Sequence, residues 1–231
     1  MSLLENLEQI KERIAKAQLR SGNNDAVEII AITKTHPAEI FNQVYEAGLT
    51  SIGENRVQEA NLKFEQADLI FPNLTKRLVG HLQSNKINKA LQLFDTIDSI
   101  DSIELAHKVG DRAKGYEKTV PVLLEVNTSG ESAKFGFDPT NIDDMLQCLE
   151  TEGINVNGLM TIGPLTSDEK AIRASFIALR ELLEEINKQS TGGKKLTELS
   201  MGMSGDFEVA VEEGASMVRL GTILFGPRRT F

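Results

Sequence analysis

Eight times along this chain a short, largely apolar run gives way to a stretch with apolar side chains at helical spacing. The first run, residues 27–34, is nearly all aliphatic: Val27, Ile29, Ile30, Ala31 and Ile32. A continuous run of this kind marks a strand buried on both faces, as in a parallel sheet. Parallel neighbours need a crossover between them, and a helix is the usual one.

The remaining units follow in order. Pro37, at a first-turn position, opens a helix to Ala47 that Gly48 closes. "TSIGEN" precedes a helix over Val57–Gln66, "KRLVGHLQ" one from Ser84 to Leu93, and "DTIDSID" one from Ile103 to Ala113. "TVPVLLEVNTS" is the clearest strand, and a helix across Ile142–Glu150 comes after its loop. "INVNGLMTIGP" precedes a long helix, Glu169–Asn187, "LTELSMGMS" precedes Phe207–Glu213, and "SMVRLGTILFG" is the eighth strand. Leu4, Leu7, Ile10, Ile14 and Ala17 place one more amphipathic helix, Leu3–Leu19, in front.

Eight such units in 231 residues, with no linker or composition break, predict one α/β domain over residues 1–231. The predicted fold is a (β/α)8 barrel, the TIM barrel, with an extra N-terminal helix. A doubly wound open sheet is the alternative. It needs fewer strands, and the first strand here lacks a G-x-G-x-x-G turn.

The formal net charge of −9 argues against nucleic acid or an anionic membrane as partner. No window has the length of a membrane-spanning helix, and the start has no signal-type apolar core, so a cytoplasmic protein is expected. The single cysteine, Cys148, excludes an internal disulfide and reads as a buried, inert thiol.

In such a barrel function gathers at the carboxyl ends of the strands. Lys34 ends the first. A lysine in the barrel wall loses hydration, its pKa falls, and the neutral amine can attack a carbonyl to form a Schiff base. The alternative is a side chain that snorkels to solvent and pairs with a carboxylate. Ser204 and Gly205 stand just before a helix that begins at Asp206, and Gly221 and Thr222 end the eighth strand. Loops after the seventh and eighth strands are the common phosphate site of these barrels. Ser204 or Asp206 could equally be helix caps, and Gly221 a simple turn.

Arg219 shares a β period with Gly221 and points into the mouth. Opposite a pyridine nitrogen it keeps that nitrogen unprotonated; otherwise it pairs with Glu125, Glu54 or another acid. His81 is a candidate base or a hydrogen-bonded core residue. "GESAKFGF" is a loop over the mouth or a plain connection. The three histidines have no metal spacing, and Glu181, Glu184 and Glu185 read as a solvated face.

Seven motifs together, "AITKTHP", "IGENRVQE", "GHLQSNK", "SIDS", "EVNTSGESAKFGF", "GLMTIGP" and "LSMGMSGDFEVAVEEGASMVRLGTILFG", resemble the pyridoxal 5′-phosphate (PLP) homeostasis proteins. These are single-domain relatives of the alanine racemase N-terminal barrel. The resemblance runs over about residues 5–228 and is specific because the motifs occur in order. It implies PLP as cofactor, bound to Lys34 as a Schiff base. It implies that Ser204, Gly221 and Thr222 hold the phosphate, that Arg219 faces the pyridine nitrogen, and that Asn55 lies near the ring. Met201, Ser84 and Met160 are expected around the pocket.

Two functions then compete. One is a carrier that buffers PLP and passes it to PLP-dependent apoenzymes, with indirect effects on amino-acid and keto-acid balance. The other is a PLP-dependent racemase or similar enzyme. Alanine racemases bring a tyrosine from a second domain to the far face of the cofactor. The sequence runs only to Phe231, and its two tyrosines, Tyr45 and Tyr116, lie on helices or turns, so a carrier and a monomer are expected. An unprotonated pyridine is also a weak electron sink. Lys134 is expected to help release the cofactor.

Overall fold

The computed structural model describes residues 2–67, 71, 73–131, 133–190 and 195–226. Ser132 of the "GESAKFGF" loop and the "PRR" that follows the eighth strand lie outside the described residues.

Eight parallel strands close into a barrel in chain order. They are β1 (Glu28–Ile32), β2 (Ser51–Glu54), β3 (Thr75–Leu78), β4 (Thr96–Ile100), β5 (Val120–Glu125), β6 (Ile154–Met160), β7 (Glu198–Ser200) and β8 (Met217–Leu220). The last pairs with the first, Ile30 beside Arg219, so the open-sheet alternative is excluded. Helix α1 (Leu3–Ser21) precedes the barrel. After successive strands come α2 (Ile40–Glu46), α3 (Val57–Gln66), α4 (Ile87–Leu93), α5 (Ile103–Gly115), α6 (Ile142–Leu149), α7 (Glu169–Gln189), α8 (Phe207–Glu212) and α9 (Thr222–Phe225).

Three of the boundaries that differ from expectation bear on the strand ends. The first strand stops at Ile32, and Lys34 sits in the turn that follows. Thr35 has φ +66°, which neither a strand nor a helix accommodates, so the chain must turn here. Helix α2 begins at Ile40 rather than Pro37, because turn hydrogen bonds such as Ile40 N–H to the Pro37 carbonyl come first. The eighth strand stops at Leu220, since Gly221 (φ −118°, ψ −84°) leaves the extended region and "TILF" coils into α9.

The strands are largely apolar because both faces are covered. Leu124, Leu159 and Val218 face outward with Phe41, Phe176 and Phe207 of the helices. Ile30, Ile32, Val79, Leu123, Met160 and Met217 fill the barrel. Each fully buried large side chain contributes about 1.5–3 kcal/mol. At the amino ends of the strands the interior turns polar: Arg77 meets Asp98 at 3.2 Å and Glu28 at 3.4 Å, and Thr96 donates to Asp98 at 2.8 Å.

Helix α1 starts with a capping box between Ser2 and Glu5 and stops at Gly22, in the left-handed region at φ +74°. Its apolar stripe, Leu7, Ile10, Ile14 and Ala17, is buried. Arg13 lies 4.6 Å over the Phe207 ring and pairs with Glu208 at 2.7 Å, which fixes α1 on α8. Asn6 donates to the Leu224 carbonyl at 2.9 Å, which fixes it on α9. Among the described residues no helix is long and apolar enough to cross a membrane.

Candidate functional site at the barrel mouth

Lys34 is half-buried in the turn after β1, between fully buried Thr33 and exposed Thr35. The loops after β7 and β8 meet beside it in the strand order. Ser204 Oγ accepts from the Ile223 N–H at 3.4 Å, joining the β7–α8 loop to the first turn of α9. No side chain caps α9 at Gly221. Asp206 does not cap α8 either; its Oδ1 accepts from the Met203 N–H at 2.5 Å and closes the loop on itself. The Ser204 hydroxyl and the main chain at the start of α9 therefore meet where two loops join, with Thr222 as the first residue of that helix, a setting suited to a phosphate.

Arg219 is buried inside the barrel. Its Nη1 donates to the Ser200 carbonyl at 2.7 Å and the Ser200 hydroxyl at 2.8 Å, and its Nη2 to the Thr161 carbonyl at 2.6 Å. The expected alternative, an ion pair with Glu125 or Glu54, is not formed: Glu54 pairs with Lys63 instead. Burial pushes the Arg219 pKa down from its ordinary value, and Glu125, Asp98 and Asp206 push it back. Glu125, inward-facing two residues beyond Leu123, is raised to about 7, chiefly by burial and then by Asp101, with Arg219 opposing.

Asn55 follows β2 and lines a cleft of about 770 Å³ with Gly80, His81, Gln83 and Lys86. His81 is not a core residue. It is exposed at the rim, with Nδ1 2.8 Å from Asp101 Oδ2 and its ring stacked on Phe135 at 3.9 Å between centroids. Phe135 belongs to the loop after β5, so that loop leans across the end of β4. Lys134 in the same loop donates to the Gly163 carbonyl and to Glu131, each at 2.8 Å.

The structure thus brings Lys34, Arg219, Ser204, Gly221 and Thr222 to neighbouring strand ends, with Asn55 just past the end of β2. Two other expected residues have different surroundings. Met201 is fully buried in the apolar layer that separates barrel and helices, with Leu199. Ser84 is exposed and begins a 3-10 turn after β3. Glu125 and Glu54 were expected only as partners of Arg219, and the pairing of Glu54 with Lys63 was not expected. The i, i+4 spacing of Glu59 and Lys63 directly after "GEN" is the signal that could have pointed to the latter.

The fold and this mouth define a class. The family described as alanine racemase, N-terminal domain, matches residues 6–229. A pyridoxal phosphate homeostasis protein of Aquifex aeolicus is 39% identical over 231 residues, covering 99% of this chain and 100% of that protein. The structure of PipY from Synechococcus elongatus with PLP bound has a TM-score of 0.83 and 38% identity, covering 97% of this chain and 100% of PipY. An alanine racemase of Clostridium difficile shares the fold at a TM-score of 0.74, 17% identity and 98% of this chain, which spans 58% of the racemase chain. The chain belongs to the pyridoxal phosphate homeostasis protein family.

Proposed function

We propose that this chain, as one barrel domain, binds PLP at the barrel mouth and serves to hold and deliver it. The observation that carries the reading is the convergence of a lysine, a buried arginine and a hydroxyl-rich main-chain cradle on adjacent strand ends, in a family one of whose members is named for PLP bound to it. Lys34 supplies the amine. Its nitrogen bonds to the aldehyde carbon, the aldehyde oxygen leaves as water, and no oxidant or reductant takes part. Ser204, Thr222 and the main chain at Gly221 hold the phosphate. Arg219, fixed by Ser200 and Thr161, keeps the pyridine nitrogen unprotonated, which leaves the ring a weak electron sink.

We propose further that it acts as a carrier in the cytoplasm, as a monomer serving PLP-dependent apoenzymes. The relatives are named for homeostasis rather than for a reaction. Tyr45 and Tyr116, the tyrosines a racemase reading would need, sit away from the mouth: Tyr45 packs on Phe71, and Tyr116 accepts from Gln92. Lys134, near the mouth, assists release.

The experiment is the visible spectrum of the protein with PLP beside Lys34→Ala. A band that borohydride bleaches and the variant lacks supports the reading, and racemase assays then separate carrier from catalyst. No band at excess PLP overturns it.

A further inference from the structure

The peptide groups on either side of Lys34 are both held by side chains from the neighbouring unit, β2 and α3. Lys63, buried on α3, donates through Nζ to the Thr33 carbonyl at 2.7 Å. That carbonyl belongs to the peptide preceding Lys34. Glu59, one turn earlier on α3, accepts the Thr35 N–H at 2.5 Å. That N–H belongs to the peptide following Lys34. Lys63 also pairs with Glu54 at the end of β2 and lies 3.6 Å from Glu59. The Thr33 hydroxyl donates to Glu54 at 2.6 Å.

This arrangement is costly. Thr35 is a β-branched residue at φ +66°, a conformation such side chains rarely adopt. Glu54 is fully buried, and its Oε2 has no hydrogen-bond partner. A buried ion pair is weak as a stabilising device, since apolar replacements are often neutral or better. A strained residue, an orphan carboxylate oxygen and a buried ammonium around one turn are explained by what the turn must hold in place.

We infer that Lys63, Glu54 and Glu59 form a positioning clamp that sets the backbone of Lys34, and with it the approach of the Lys34 amine to an aldehyde. The inference rests on the reading of Lys34 given above. The three residues do not touch the ligand. Lys63 anchors the peptide before Lys34, Glu59 holds Thr35 in its left-handed conformation after it, and Glu54 holds Lys63 in place. A lost anchor misplaces the amine, and a shift of about 1 Å in a reacting group can cost on the order of a hundredfold in rate.

Two ligands separate this from a general structural role. PLP needs the Lys34 amine for its covalent bond. Pyridoxine 5′-phosphate carries the same ring and phosphate but no aldehyde, so its affinity reads the cradle without the amine. In Lys63→Met, the rate of appearance of the borohydride-sensitive band with PLP should fall about tenfold or more, with pyridoxine 5′-phosphate affinity unchanged. Glu59→Gln, at a partly exposed position, should show a smaller effect in the same direction and guards against misfolding of the first variant. Equal losses for both ligands, or no loss for PLP in either variant, overturn the clamp. An absent band in the parent protein overturns the role of Lys34 itself, and the clamp with it.

Discussion

Arg219 reaches Ser200 on the adjacent strand twice, through the carbonyl oxygen at 2.7 Å and the hydroxyl at 2.8 Å. A third bond runs to the Thr161 carbonyl just past the end of β6 at 2.6 Å. One guanidinium therefore ties three consecutive strands from inside the barrel. Its planar fork is fixed before any ligand arrives, and its position does not depend on a counter-charge. A lysine at this position has one donor centre and cannot span both strands. Arg219→Lys should leave a buried acceptor unpaired and lower stability by about 1–3 kcal/mol. Urea unfolding of the ligand-free protein measures this; an unchanged midpoint would show that the three bonds are incidental.

Glu125 makes stability depend on pH. Its carboxyl is raised from 4.5 to about 7, first by burial and then by Asp101, against the pull of Arg219. The folded state thus holds a proton that the unfolded state releases above pH 4.5. The stability that the neutral group supports is full below pH 4.5 and is lost as pH rises towards about 7. The loss amounts to about 3 kcal/mol. Glu125→Gln stays neutral throughout. The variant should match the parent near pH 4.5 and exceed its stability at pH 8, and parallel melting-temperature profiles for the two proteins would refute this.

The barrel could be read from the sequence because a strand covered on both faces is apolar for most of its length. "VPVLLE" sends Leu123 into the barrel and Leu124 towards the helices, and both must be apolar. The site could be read in part. Lys34, Ser204, Arg219 and Gly221 lie close to strand ends, and strand ends of a closed barrel are neighbours in space whatever their separation in sequence. Met201 could not be placed this way. A two-residue alternation decides which face a side chain takes, and Met201 continues the outward row of Leu199. The Lys63 anchor was hidden for another reason. It reaches back from a helix to a carbonyl thirty residues earlier, and no periodicity encodes a main-chain acceptor.

Asn6 supports, from outside the barrel, the side of the mouth proposed to hold the phosphate. Its Nδ2 bonds to the Leu224 carbonyl of α9, the helix whose first turn receives the Ser204 contact. Asn6→Ala removes that bond at a cost of about 1 kcal/mol. The consequence for binding should be selective: PLP affinity falls several-fold, whereas pyridoxal, which lacks the phosphate, binds as before. Titrating both ligands against parent and variant decides it, and equal losses for the two would place the effect elsewhere in the site.

Cys148 gives a probe of the whole fold that leaves the mouth untouched. It is fully buried on α6, and burial, with Asp144 and Glu104 nearby, pushes its thiol up to about 12. The thiolate is the reactive form. At pH 8 only roughly one thiol in ten thousand is ionised in the folded state, and none of it is reachable. Alkylation by iodoacetamide should therefore wait for the barrel to open, and its rate should report that opening. A ligand that binds only the folded state stabilises it by about 2.7 kcal/mol at a hundred times its dissociation constant. PLP at that excess should slow labelling of Cys148 by about a hundredfold where opening is global. Lys34→Ala should lose most of this protection. Rapid, stoichiometric labelling of the native protein would contradict the buried thiol, and slow labelling insensitive to PLP would place the opening that exposes Cys148 apart from the one that empties the mouth.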